Sequence, residues 1–190
     1  MFSMERAVKL FVWSCVVYHL RSGGRTARLP PKISELFGID PNETEPERLL
    51  HSAMALYGST SYTSLCDPGS DMHAIVVCGQ KAVVIAFRGT VSMSNAKTDV
   101  HFGPIGLPGV PSDWQLKSQA RCLPCAGTRP RVHRGFLDVL GPQAIGDKVV
   151  EKVGEHLASE GVDRNSVTVY CTGHSLGGAV AALFSRTHQA

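Results

Sequence analysis

The sequence predicts an α/β domain, and three observations carry that prediction. Ala74-Ile75-Val76-Val77-Cys78 and Ala82-Val83-Val84-Ile85-Ala86-Phe87 are apolar, β-branched runs of strand length. Residues Gln143 to Glu160 set Ile145, Val149, Val150, Val153 and Leu157 at helical spacing, the pattern of an amphipathic helix lying on a sheet. Val167-Thr168-Val169-Tyr170-Cys171 is a third β-rich run, followed after a short turn by Leu176 to Ser185, an Ala/Gly-rich helical stretch. Strands interleaved with helices bury their apolar faces by stacking in layers. With 190 residues, the chain is long enough for one such domain with a sizeable core.

The elements follow in chain order. Leu10 to Tyr18 is a mostly apolar run behind Arg6 and Lys9, which is the outline of a secretory signal. Glu5 interrupts the basic part and Arg21-Ser22-Gly23-Gly24 lacks an Ala-x-Ala site, so an ordinary amphipathic N-terminal helix is an equal alternative. The run is too short to span a bilayer, which takes about 20 apolar residues. Residues 1–30 are therefore set apart as a leader or helix with a signal-like outline, and residues 31–190 as the domain proper. After the Gly/Arg/Pro-rich connector Gly23 to Pro31, Thr44-Glu45-Pro46-Glu47 forms a capping box. It opens a helix whose Leu49, Leu50, Ala53, Met54 and Tyr57 share one face. Gly79-Gln80-Lys81 is a hairpin turn between the first two strands. From Val91 to Arg131 no periodicity holds, and Pro104, Pro108, Pro111 and Pro124 break any long helix; a connection this long in a compact domain is usually functional. Gly161 closes the helix begun near Gln143.

Composition narrows the function classes. Hydrophobic residues at 43% against 18% charged describe a chain that folds. The net charge of +3 comes from scattered Lys and Arg without a basic run, which argues against a nucleic-acid partner and leaves only weak attraction to an anionic lipid surface. No metal or cofactor is expected. Six cysteines are too few for a disulfide scaffold and more than many cytosolic domains hold.

The chemistry concentrates at Gly173-His174-Ser175-Leu176-Gly177. A serine hydroxyl is a poor nucleophile unless a base takes its proton and the site stabilises the oxyanion that follows. A sharp strand-turn-helix lifts the hydroxyl clear of the backbone. It also leaves the next N–H at a helix N-terminus, where donors are unpaired and the field favours negative charge. Gly173 and Gly177 flank the turn because the chain segments there are forced together and leave no space for a Cβ. Gly178, Ala181 and Ala182 extend the small face of the helix. Gly-x-Ser-x-Gly alone is a modest signal; its place after a strand and at the head of a helix is what gives it weight. His174 is adjacent to the serine, so its ring is expected to pack inward and not to serve as the base.

Three blocks resemble the fungal-type (class 3) lipases of the α/β-hydrolase fold: Ala86-Phe87-Arg88-Gly89-Thr90, Val132-His133-Arg134-Gly135-Phe136, and Tyr170-Cys171-Thr172-Gly173-His174-Ser175-Leu176-Gly177-Gly178-Ala179. The resemblance runs from about Thr44 to the C-terminus and implies the N-terminal portion of an α/β-hydrolase, a mostly parallel sheet with flanking helices and its C-terminal strands missing. It implies Ser175 as nucleophile, with Thr90 and Leu176 as oxyanion-hole donors, the first through backbone N–H and hydroxyl and the second through its N–H. It gives Arg88 a structural role and His133 a packing or hydrogen-bonding one. Val91 to Val100 resembles the lid and its flank, with Ala96 where many fungal members carry a bulky aromatic and where the diacylglycerol lipase branch has a small residue. Cys122-Leu123-Pro124-Cys125 lacks the second ligand pair of a zinc site and the βαβ start of a redox motif. Secreted fungal lipases often have a Cys-x-x-Cys loop in this place. The resemblance therefore implies a Cys122–Cys125 disulfide and a secreted or endomembrane location. Cys78 and Cys171, lying in strands, are expected to be buried, unbridged thiols.

In this family the triad Asp and His follow the nucleophile. Past Ser175 there is no Asp, and the sole histidine, His188, lies on the same helix, about 20 Å away at 1.5 Å per residue. Asp99, Asp113, Asp138, His101 and His133 all precede the serine, against the order of the fold. The expectation is a chain that ends just past the elbow helix, with the triad Asp and His further downstream. Two function classes stand. One is a carboxylic ester hydrolase acting on lipid esters at a membrane or droplet surface, as a triacylglycerol lipase, diacylglycerol lipase, phospholipase A1 or feruloyl esterase. The other is a noncatalytic lipase-like protein that binds lipid or a partner. A reading frame that continues to an Asp and a later His separates them.

Overall fold

Residues 4–17, 46–57, 59–79, 81–89, 104–106 and 131–188 are described by a computed structural model of the chain. The elements are helices α1 (Met4–Val16) and α2 (Pro46–Tyr57), strands β1 (Ser59–Asp67), β2 (Met72–Gly79) and β3 (Ala82–Phe87), a short ribbon of β4 (Pro104–Gly106) and β5 (Arg131–His133), helices α3 (Arg134–Asp138) and α4 (Ile145–Ser159), a 3-10 turn (Arg164–Ser166), strand β6 (Thr168–Gly173) and helix α5 (Leu176–Thr187).

One sheet in the order β1-β2-β3-β6 organises the molecule. β1 with β2 and β2 with β3 run antiparallel, while β3 and β6 are parallel. A mostly parallel sheet was the expectation; of the three pairings in this sheet only one is parallel. Connection length decides this. Short turns can only reverse the chain, whereas the long stretch from β3 to β6, with α4 inside it, permits a parallel return. Strand β1 has no counterpart in the sequence expectations, because Ser59-Thr60-Ser61-Tyr62-Thr63-Ser64 offers no apolar run. It is an edge strand, where a polar, β-branched composition suits one exposed side.

Alternate side chains of β2 and β3 enter two separate cores. Ile75, Val77 and Ala86 pack with Val12, Trp13, Val16 and Val17 of the α1 segment and Leu50, Ala53 and Met54 of α2. On the opposite face Ala74, Val76, Cys78, Val83, Ile85 and Phe87 pack with Ile145 and Val149 of α4 and Val180, Ala181 and Phe184 of α5. Helices therefore cover both faces, which is why both strands read as unbroken apolar runs. Helix α1 is part of the core, and the Thr172 hydroxyl on β6 donates to the Leu10 carbonyl at 3.0 Å.

The helix expected near Gln143 to Glu160 begins at Ile145 and is followed by Gly161 at φ 62°. Ile145, Val149 and Leu157 are buried as its periodicity requires, but Val150 is 45% exposed, because it sits at the border of the apolar stripe. The connector Gly23 to Pro31, the capping residues Thr44 and Glu45, the lid-like segment Val91 to Val100, and Cys122 and Cys125 lie outside the described residues.

Candidate active site

β6 runs parallel to β3 in a register that sets Gly173 beside Phe87. The chain then reverses through His174 and Ser175 into α5. Ser175 takes φ 55° and ψ −122°, a conformation that costs a residue with a Cβ on the order of 1–3 kcal/mol and persists only where surrounding structure imposes it. Two close approaches impose it here. A Cβ on Gly173 would run into the backbone carbonyl of Gly177, with Gly178 N also only 2.8 Å away. A Cβ on Gly177 would strike the Phe87 carbonyl, 2.8 Å from its carbon and 2.9 Å from the carbonyl carbon of Arg88. The pair was expected to be pressed together. In fact only Gly173 faces its partner, and Gly177 is pressed against the end of β3.

Two segments thus meet at main-chain distance. The last residues of β3, which lead into Arg88-Gly89, touch the first turn of α5, which follows Ser175. Hydrogen bonding inside that turn starts with Gly177 N–H to His174 O at 3.0 Å and Gly178 N–H to Ser175 O at 3.0 Å. Leu176 is the first helical residue, where an N–H lacks an intrahelical acceptor and points outward from a partially positive helix end. Ser175 itself is exposed. The arrangement presents a hydroxyl and an N–H donor side by side, which is what attack on a carbonyl needs on its two sides.

Arg88 bears out its structural role. It is 1% exposed; its Nη2 donates to the Asp71 carbonyl at 2.9 Å and lies 3.4 Å from Asp71 Oδ2. Its N–H also donates to the His73 carbonyl at 2.9 Å, which extends the β2–β3 pairing past Phe87. The path of the chain toward position 90 is therefore fixed up to Gly89, while Thr90 itself lies outside the described residues. The backbone of His133 ends β5, opposite Pro104.

Expectations about the other polar residues divide. His174 was expected to turn inward; it is exposed, because β6 is the edge of the described sheet and the turn at its end projects beyond it. His188 caps the far end of α5, stacked on Phe184 at 4.5 Å with Nδ1 2.8 Å from Thr187 Oγ1, so it does not approach Ser175. Asp138 ends α3 and lies 3.9 Å from Arg134 Nε. Asp99, His101 and Asp113 lie outside the described residues. Cys78 and Cys171 are unbridged, and burial pushes each thiol up to about 11. Cys78 is buried, while Cys171 is only half-buried, at the edge of an open groove of about 330 Å³ between β6 and α5. Ala182, assigned to the packed face of α5, instead lines this groove and is exposed. Sequence reasoning missed Thr172 and Asp71, whose partners Leu10 and Arg88 are remote along the chain. Only the Asp-Pro-Gly-Ser-Asp turn composition hinted at the second.

The profile described as lipase (class 3) matches residues 84–188, a span that includes the end of β3, β6, the turn and α5. Over 124 residues the chain is 32% identical to the chloroplastic phospholipase A(1) DAD1 of Arabidopsis thaliana, covering 64% of this chain and 25% of that protein. Over 115 residues it is 34% identical to the lipase of Rhizomucor miehei, covering 60% of this chain and 25% of that one. The chain spans about a quarter of the length of these curated relatives. Among solved structures, a triacylglycerol lipase described as having a serine protease triad at its catalytic centre superposes with a TM-score of 0.56 at 21% identity, over 97% of this chain and 56% of that one. The mono- and diacylglycerol lipase of Aspergillus oryzae superposes with a TM-score of 0.56 at 20% identity, over 97% and 57%. At such identities the likeness is one of fold, and the fold is that of an α/β-hydrolase, with a little over half of each matched structure covered.

Proposed function

Because the chain belongs to the class 3 lipase family, we propose that it carries the nucleophile half of a lipid ester hydrolase, with Ser175 as the attacking residue. The observation that supports this most is the backbone of Ser175, held at positive φ between a strand and a helix by two contacts that admit only glycine. In this reading Ser175 Oγ adds to the ester carbonyl carbon. The oxyanion is received by the Leu176 N–H and by the N–H and hydroxyl of Thr90. A His takes the serine proton and delivers it to the departing alcohol, and an Asp orients that His. Both are supplied by chain beyond the elbow helix, and water then releases the acyl group. The names of the relatives, a phospholipase A(1) and a lipase, favour an acylglycerol or glycerophospholipid ester as substrate.

Residues 31–190 are the domain portion in this proposal, and α1 is an integral helix resting on it, a reading supported by the burial of Val12, Trp13 and Val16. No helix among the described residues is long and apolar enough to cross a membrane. A Cys122–Cys125 disulfide and a secreted or endomembrane location complete the proposal. A mass increase at these two cysteines only after reduction and alkylation tests them.

The decisive experiment is labelling with a fluorophosphonate probe, carried out on a product extended to include a downstream Asp and His. Labelling mapped to Ser175 and abolished in Ser175→Ala is expected. Losing one oxyanion donor typically costs about 3 kcal/mol of transition-state stabilisation, so Thr90→Ala should slow ester turnover about a hundredfold. A folded, extended product that takes no label would instead be a lipid-binding member without catalysis.

A further inference from the structure

The β1–β2 hairpin holds a second reactive constellation, on the far side of the sheet from β6. Its register sets Cys66 opposite His73, and Cys66 Sγ lies 3.4 Å from His73 Nε2. Cys66 is exposed, unlike Cys78 in the core. Asp71 Oδ1 stands 3.4 Å from the same imidazole nitrogen. Asp71 is itself fixed at φ 50° by Arg88, which reaches its carbonyl at 2.9 Å and its second carboxylate oxygen at 3.4 Å. Among the described residues, the next residue Asp67 is held by Lys148 of α4, whose Nζ donates to Asp67 Oδ1 at 3.0 Å, and by Ser70, which donates to its other oxygen. No group of three His, Cys, Asp or Glu among the described residues is arranged to hold a metal ion.

We propose that Cys66 is a nucleophilic thiol that exchanges with small disulfides, with His73 as its base and Asp71 as the group that stabilises the resulting imidazolium. Sγ attacks one sulfur of the disulfide while His73 Nε2 takes the thiol proton. The new S–S bond to Cys66 forms as the original one breaks, and the proton passes from the imidazolium to the departing thiolate. The disulfide is the only oxidant required. The product is a mixed disulfide on an exposed strand, reversible by excess thiol. The backbone carbonyl of His73, the residue opposite Cys66, accepts from Arg88 N–H, so one strand separates the modified side chain from the segment that leads to position 90.

The test is treatment of the intact, folded chain with oxidised glutathione, followed by peptide mass spectrometry at each cysteine. Cys66 should form the mixed disulfide about tenfold faster in the folded chain than in the same chain unfolded in urea, whereas Cys78 and Cys171 should react more slowly when folded. His73→Gln should remove most of the advantage at Cys66, and Asp71→Asn should reduce it about threefold. Comparing folded with unfolded chain needs no variant, so the outcome does not depend on either substitution folding. A Cys66 that reacts no faster folded than unfolded, or that keeps its rate in folded His73→Gln, overturns the proposal.

Discussion

Two sharp reversals in this molecule each hold a non-glycine residue at positive φ, Ser175 at 55° and Asp71 at 50°, yet they are secured by opposite means. The turn at Ser175 is secured by main chain: Gly173 against Gly177, and Gly177 against Phe87. The turn at Asp71 is secured by side chains: Arg88 to Asp71, Ser70 to Asp67, and Lys148 to Asp67. A turn made by close backbone approach is rigid because nothing in it can rotate away. One made by polar side chains depends on each partner separately, heavily on the buried Arg88 and less on the partly exposed Lys148.

That difference predicts a graded response to substitution. The largest effect belongs to Gly177→Ala, whose Cβ would collide with the carbonyl of Phe87 and has only backbone to displace; Gly173→Ala meets the carbonyl of Gly177 in the same way. Each should lower stability by about 4 kcal/mol or prevent folding, measured by urea unfolding followed by circular dichroism. Next is Arg88→Ala, expected to cost about 3 kcal/mol, since it empties a buried site and strips the Asp71 turn of its anchor. A loss under about 1 kcal/mol would mean that Arg88 does not anchor the Asp71 turn.

Ser175→Gly should move stability the other way, by about 1 kcal/mol, because glycine adopts the elbow conformation without strain. A neutral result would show that the elbow holds no strain. The smallest effect is expected at Asp67→Asn, about 0.5–1 kcal/mol. Its hydrogen bonds from Ser70 and Lys148 hold the Asp67 carboxyl below its ordinary value. A lowered folded-state value means that this contribution is fully present above the ordinary carboxyl range and is lost as pH falls through the lowered one. The difference in unfolding free energy between the parent and Asp67→Asn should therefore shrink on acidification and be absent once Asp67 is protonated in both states.

The same contrast explains what could be seen in the sequence. The elbow was legible because close approach demands glycine at fixed offsets, and those demands are local: Gly173, Ser175 and Gly177 lie within five residues. Strands β2 and β3 were legible because burial on both faces leaves only apolar residues. Strand β1 was not, since an edge strand with one wet side needs no apolar run. The Arg88–Asp71 and Lys148–Asp67 contacts were invisible because they join residues 17 and 81 positions apart, and nothing in either neighbourhood names the partner. The exposure of His174 and Ala182 was misjudged for a related reason: which side of β6 lies open is set by strand order, not by the residues of β6.

The hydrogen bond from Thr172 to Leu10 joins residues 162 positions apart, the first helix to the last strand among the described elements. During synthesis the docking face of α1 is therefore completed only when β6 has emerged, after α2, β2 and β3 have supplied its first part. At ~5–20 residues per second that is a delay of roughly 8–30 s, throughout which Val12, Trp13, Val16 and Val17 have no completed surface to cover them. The apolar face of α1 is therefore covered in two steps, first by α2, β2 and β3 and then by β6.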